Sequence, residues 1–218
     1  KILPETSLAV TPGAFNTLYS VVNVNGSGVL RVNYEDNPND WHDVTVIPDW
    51  PAELDVSSLD VVGRTLYVTG RDDELSGSPF RIYRFDMNPA KMTFQVVTEL
   101  SAPLLEPGII EIGGKPLLKG LNSPTQNLEF YEVGNNRAEK TGEIPVRYGC
   151  TVISEKGLLY VVGGIDGSQE PENNIFVSND HGRNFYLLAD FEGEDIDLTT
   201  SFVHFSGGKM YVLNPKED

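Results

Sequence analysis

Three histidines and one cysteine are the side chains best suited to hold a transition metal or act as nucleophiles. His42 lies between Trp41 and Asp43, and His181 sits in the turn-like run Asn179-Asp180-His181-Gly182. His204 alternates with Val203 and Phe205, the pattern of a core or channel-lining histidine. Cys150 is the single cysteine, so there is no internal disulfide and no CxxC or Cys/His zinc spacing. It reads as a buried thiol in an apolar strand over 150–154. These four residues fall on separate segments, and neither metal nor cofactor is expected. Oxygen ligands crowd together at Glu192, Glu194, Asp195 and Asp197, as a calcium site requires. Without EF-hand spacing, a solvated acidic loop is the expectation. The chain has no phosphate loop, dinucleotide fingerprint, nucleophile elbow or HExxH motif.

The elements that position these residues are hairpins. Apolar runs at 18–25 and 29–34 flank Gly26-Ser27-Gly28, and runs at 59–62 and 65–69 flank Gly63-Arg64. Runs at 109–112 and 116–119 flank Gly113-Gly114-Lys115. Further pairs flank Glu155-Lys156-Gly157 and Ser206-Gly207-Gly208. A glycine-containing tight turn between two short apolar runs is a hairpin signal. One position in each presumed second strand, Arg31, Tyr67, Leu118, Tyr160 and Tyr211, gives spacings of 36, 51, 42 and 51, a mean of 45. That period with four strands per unit predicts an all-β fold, a β-propeller of about five four-stranded antiparallel blades. The units are expected at 14–49, 53–99, 104–144, 146–191 and 198–218 plus 1–12, in one domain over 1–218. The segment 7–11 is the candidate outer strand for the last blade, which otherwise lacks it.

Composition sets the limits. With 16 Lys plus Arg against 32 Asp plus Glu, the net charge is −16. This argues against nucleic acid and anionic membranes as partners. No apolar run reaches the length of a membrane helix. The chain starts at Lys1, not Met, and reads as processed or trimmed. Asn25-Gly26-Ser27 is formally a glycosylation sequon but reads better as a hairpin turn.

Two stretches resemble known repeats. Arg147-Tyr148-Gly149-Cys150, followed by Tyr160 and Gly163-Gly164, resembles a kelch repeat, with Arg147, Tyr160, Gly163 and Gly164 in structural roles. Ser178-Asn179-Asp180-His181-Gly182-Arg183-Asn184-Phe185 resembles the Asp-box (BNR repeat) of sialidase-like propellers. That resemblance gives Ser178, Asp180, Gly182 and Phe185 a fold-stabilising role, the aspartate bonding turn amides and the aromatic packing beneath. Acidity and the single cysteine resemble extracytoplasmic bacterial propellers, such as surface lipoproteins of gut Bacteroidetes.

Propeller loops alternate between two faces, and binding residues concentrate in loops on a rigid scaffold. The longer, more polar loops supply the binding-face candidates Trp50, Arg71, Asp72, Asp73, Tyr148, Asp166, Glu170, Asp195 and Asp197. The expected function is non-enzymatic recognition of a protein or glycan by an extracytoplasmic monomer, with aromatic residues as anchors. One alternative is a glycan-active, sialidase-like hydrolase. It would need an arginine cluster, for which Arg71, Arg81, Arg84 and Arg147 are available, and a Tyr/Glu pair. A second is a cytosolic kelch-type adaptor. No residue is expected to be catalytic.

Overall fold

The computed structural model describes residues 6–12 (backbone), 17–34, 40–71, 79–88, 90–100, 103–165, 173–191, 196–199 and 201–213. Among these there is no helix, and the strands fall into sheets that follow the chain. The first sheet is β1 (Thr6–Pro12), β2 (Thr17–Val24), β3 (Ser27–Tyr34) and β4 (Trp41–Val46). The second is β5 (Asp55–Val62), β6 (Thr65–Arg71), β7 (Phe80–Asp86) and β8 (Phe94–Leu100). The third is β9 (Leu104–Ile112), β10 (Lys115–Asn122), β11 (Leu128–Val133) and β12 (Ala138–Ile144). The fourth is β13 (Thr151–Glu155), β14 (Leu158–Val162), β15 (Asn174–Ser178) and β16 (Tyr186–Asp190). The last described strands, β17 (Phe202–Ser206) and β18 (Lys209–Leu213), form a two-stranded sheet.

Each sheet is a meander in which neighbours in sequence are neighbours in space. Tight turns make this possible. Lys156 (φ 50°) and Gly157 (φ 79°) are consecutive left-handed residues, as a two-residue turn between right-twisted strands requires. Asn25 (φ 52°) and Gly26 (φ 81°) repeat the arrangement.

The N-terminal strand departs from expectation. β1 pairs with β2, from Thr6↔Asn23 to Pro12↔Leu18, and lies beside β5. The segment expected in the last blade is thus the edge strand of the first sheet. The β2–β3 hairpin is consequently the second and third strands of its sheet, and Arg31 lies in a third strand. The true second strands begin at Thr17, Thr65, Lys115, Leu158 and Lys209, spacings of 48, 50, 43 and 51.

The chain divides into two compact units, Lys1–Ile109 with Val133–Ala138, and Ile110–Glu132 with Glu139–Asp218. The first has a core of Val21, Leu30, Leu59, Leu66, Val68 and Phe85 around an aromatic group. Tyr83 and Phe94 stack at 5.1 Å and 4°, and Trp50 tilts against Phe94 at 5.3 Å. Trp50 is only 8% exposed, so it is a core residue and not the binding-face aromatic expected. The segment after β4 folds back, its Ile47 amide donating to the Gly28 carbonyl at 2.8 Å. This carries the indole over a glycine, where burial of a large ring is favourable.

The second unit has a core of Val162, Ile175, Leu198 and Val203, with Ile153, Tyr160 and Val212 packed against it. Gly163 (φ 66°) faces the Leu198 backbone so closely that a Cβ would lie 2.7 Å from its carbonyl carbon. Tyr160 packs on Phe205 with ring centroids 4.7 Å apart. Cys150 precedes β13 instead of lying within it and is half-buried, its Sγ 3.8 Å from the Arg147 carbonyl oxygen. His204 is exposed on β17 opposite Tyr211, not in the core.

Candidate binding face

Of the sequence-derived candidates, Trp50, Arg71, Tyr148 and Asp197 lie among the described residues. Asp72, Asp73, Asp166, Glu170 and Asp195 lie outside the described residues. Arg71 ends β6, half-buried, paired in register with Asp55. Asp197 holds its own turn: Oδ1 accepts from the Thr199 amide at 2.8 Å and hydroxyl at 2.5 Å. The Asp197 carbonyl accepts from Ser201 Oγ at 2.6 Å. Its carboxylate works as a turn former, the role Asp takes in such loops. Among the described residues no three His, Cys, Asp or Glu side chains gather as a metal site.

Tyr148 is different. It is 41% exposed on the connection between β12 and β13. Its hydroxyl donates to Gln126 Oε1 at 3.3 Å. Gln126 has φ 61°, and its amide nitrogen donates to the Ser123 carbonyl at 2.7 Å, fixing the β10–β11 loop. The next residue, Asn127, donates from Nδ2 to Glu143 at 3.2 Å. Glu143 accepts from Lys140 at 2.5 Å, and Lys140 reaches Glu129 at 2.5 Å. Glu129 also accepts from Asn122 Nδ2 at 3.0 Å and from the Tyr131 hydroxyl. A braced polar network thus runs from an exposed aromatic down to a buried carboxylate.

Glu129 is 2% exposed, and an ionised carboxylate there needs partners on both oxygens. Burial alone would raise its pKa, but donors from Lys140, Tyr131 and Asn122 outweigh that and hold it below the usual carboxylate range. For Lys140, burial pulls down, and bonds to Glu129 and Glu143 prevail and raise it. Burial and the Glu129 bond both push the Tyr131 phenol well above its ordinary value. The site is built for persistent charge and hydrogen bonding, not for proton transfer near neutrality.

Sequence reasoning misses Glu129, Tyr131, Lys140 and Glu143. The available signal is an acidic residue inside the apolar run 128–133 with a tyrosine two positions on, hence on the same sheet face. Lys140, on the adjacent strand, cannot be paired with it from one sequence.

Ser178, Asp180, Gly182 and Phe185 come together in the β15–β16 turn. Ser178 Oγ donates to Asp180 Oδ1 at 2.8 Å and accepts from the Gly182 amide at 3.0 Å. Asp180 further accepts from the Arg183 amide at 3.1 Å, the Asn184 amide at 2.9 Å and Asn184 Nδ2 at 2.6 Å. Partial burial opposes the charge, but these donors, Asn184 foremost, hold the carboxyl at about 2. Phe185 packs on Phe130 at 5.1 Å, and Gly182 (φ 77°) lies against the same ring. Arg147 uses its backbone amide, donating to Ile165 at 2.8 Å.

An apolar concavity of about 260 Å³ in the first unit is lined by Tyr19, Val32, Phe85, Met87 and Met92 among others. Phe85 belongs to the core and Tyr19, Met87 and Met92 pack against it, so this is the open end of the core.

Four successive four-stranded antiparallel sheets, strand order following the chain, decide the architecture. The fold is a β-propeller. A solved structure described as "Structure of YjhT" superposes with a TM-score of 0.58 over 97% of this chain and 74% of that one, at 13% identity, a likeness of fold alone. Among curated proteins, Kelch-like protein 41a of Danio rerio is 29% identical over 125 residues, 52% of this propeller chain. The match spans 20% of that relative's length. The structural likeness agrees with the propeller fold, and the curated match is a resemblance to a kelch-like protein over about half of the chain. No protein-family model matches the chain.

Proposed function

We propose that this propeller is a non-enzymatic recognition module that takes a protein or glycan ligand over Tyr148. The observation that carries this is the exposed Tyr148 ring, with its hydroxyl tied to Gln126 and the loop braced through Asn127 and Glu143. A rigid aromatic flanked by amides and carboxylates loses little freedom on binding and suits sugar faces and polar peptide segments alike. Resemblance to a kelch-like protein agrees with a scaffold whose work lies in its loops. On this reading the Ser178–Phe185 turn is an Asp-box-like element serving the fold alone. The net charge of −16 and the lone cysteine support an extracytoplasmic setting.

The sialidase-like alternative is disfavoured by the chemistry of the hydrogen-bonded Tyr131/Glu129 pair. A nucleophilic tyrosine needs a phenol ready to lose its proton to a competent base. Tyr131 is pushed the other way, and Glu129 already accepts from Lys140 and Asn122. Arg31 and Arg81 are matched by Asp43 and Glu99, each at 2.6 Å.

The test is a glycan array beside a crosslinking pull-down from the native host, each run with wild type and Tyr148→Ala. Ligand retained by wild type and lost by the variant, at unchanged Tm, is expected; equal retention overturns the assignment. Glycoside turnover abolished by Tyr131→Phe would establish the enzyme instead. Recovery of the native protein in the cytosolic fraction would refute the extracytoplasmic setting.

A further inference from the structure

Among the described residues, three arginines of this acidic chain are matched to carboxylates. Arg31 meets Asp43, Arg81 meets Glu99, and Arg183 meets Glu132 at 3.3 Å. Arg84, near the end of β7, departs from that pattern. Its Nη1 donates to Asn135 Oδ1 at 2.7 Å. With the Gln95 amide turned so that its oxygen faces the guanidinium, Nε donates to it at 2.6 Å and Nη2 donates to the same oxygen. Amide oxygens fix the guanidinium in place without neutralising it. Three of the five guanidinium N–H groups are engaged, leaving one on each terminal nitrogen.

This oriented charge lines a polar cavity of about 330 Å³ with Thr65, Thr93, Asp86 and Lys91. Asp86 accepts from the Asn88 amide at 2.9 Å and lies 3.9 Å from Lys91 Nζ, offsetting much of that ammonium. The cavity therefore carries about one net positive charge, in a chain of net charge −16. Two unused guanidinium N–H groups beside a cationic lysine, in a cavity also lined by two threonines, suit the planar, singly charged carboxylate group.

We propose that the Arg84 cavity is a carboxylate-binding subsite, accepting either a small organic acid or an Asp or Glu side chain of a protein ligand. It stands independently of the Tyr148 reading. Binding is single-point and solvent-accessible, so millimolar affinity that weakens with added salt is expected.

The test is a titration followed by the side-chain 15N signals of Arg84 and Gln95 at low ionic strength. The ligands are sodium acetate, the peptide acetyl-Ala-Glu-Ala-amide and its Gln counterpart. Saturable shifts with acetate or the Glu peptide, and none with the Gln peptide, are expected. Acetate binding alone identifies the small-acid source, and tighter binding of the Glu peptide identifies the protein source. Arg84→Gln should weaken binding at least ~5-fold, and Lys91→Gln by roughly 2-fold, since one of two nearby charges is removed in each case. Arg81→Gln, on the opposite face of β7 and already paired with Glu99, should bind as wild type. Should Arg84→Gln fail to fold, the solvent-exposed Lys91 variant decides. Unchanged affinity in the charge-removing variants that fold, or no saturable shift, overturns the proposal.

Discussion

Gly28 lies flat beneath the indole of Trp50: a Cβ at Gly28 would sit 2.7 Å from Cε3 and 2.8 Å from Cγ of the ring. The first unit closes its core through this contact. Gly28→Ala should cost about 1–3 kcal/mol, the range for overpacking a tight site. Trp50→Ala should cost about 3–5 kcal/mol by leaving a cavity. The collision vanishes when the ring is gone, so the double variant should be more stable than the sum of the two losses. Urea unfolding of the four proteins checks this, and strict additivity would show that the contact carries no strain.

The Asp180 turn predicts an acid response. Its folded pKa of about 2 lies below the ordinary aspartate value of 3.8. The stabilisation is therefore fully present above the unfolded value and lost as pH falls from about 4 towards 2. Asp180→Asn loses charge-assisted acceptors for the Arg183 and Asn184 donors. A loss of about 2 kcal/mol at neutral pH is expected, with a Tm fall of roughly 4–8 °C. The variant should also lack the wild type's stability decline between those pH values. Calorimetry across the range reads both effects, and parallel curves would contradict the assignment.

Glu129 and Tyr131 are coupled in a way an alkaline titration can see. Neutralising the carboxylate in Glu129→Gln removes the charge that raises the phenol, so Tyr131 should ionise at lower pH than in wild type. Absorbance titration against a Tyr131→Phe control isolates that tyrosine. The same substitution leaves Lys140 short of a partner and should destabilise by on the order of 3 kcal/mol, as when one member of a buried pair is removed. Below neutrality the wild-type contribution of Glu129, whose pKa is lowered, is lost as pH falls through its folded value. An unmoved phenol titration would mean the hydroxyl bonds elsewhere.

Tyr148→Ala should act on binding alone. The residue is 41% exposed and its hydroxyl bond to Gln126 is long at 3.3 Å, so a change within about 0.5 kcal/mol is expected on the stability side. A large stability loss would make Tyr148 a structural residue.

The hairpins are legible in the chain because a two-residue turn between apolar runs demands left-handed residues, and glycine announces them. The phase of the first unit is not legible: Asn25-Gly26 closes a second-to-third strand connection with the same chemistry that Lys156-Gly157 uses between first and second strands. Trp50 is misread because a tryptophan beside proline in a polar connection looks like surface; its partner, Gly28, is twenty-two residues away in the turn-like Gly26-Ser27-Gly28. The Glu129 network is hidden for another reason. Its energy lies in side-chain bonds across strands, and a single sequence records strand periods but not which charges face each other.

The sequential strand order also bears on how the protein is made. The first sheet spans only Thr6 to Val46, and each later sheet draws on the next stretch of chain. Loop closures are short, so a sheet needs no distant segment to start forming. Translation can therefore release one sheet at a time, each pairing its own strands before the next emerges from the ribosome.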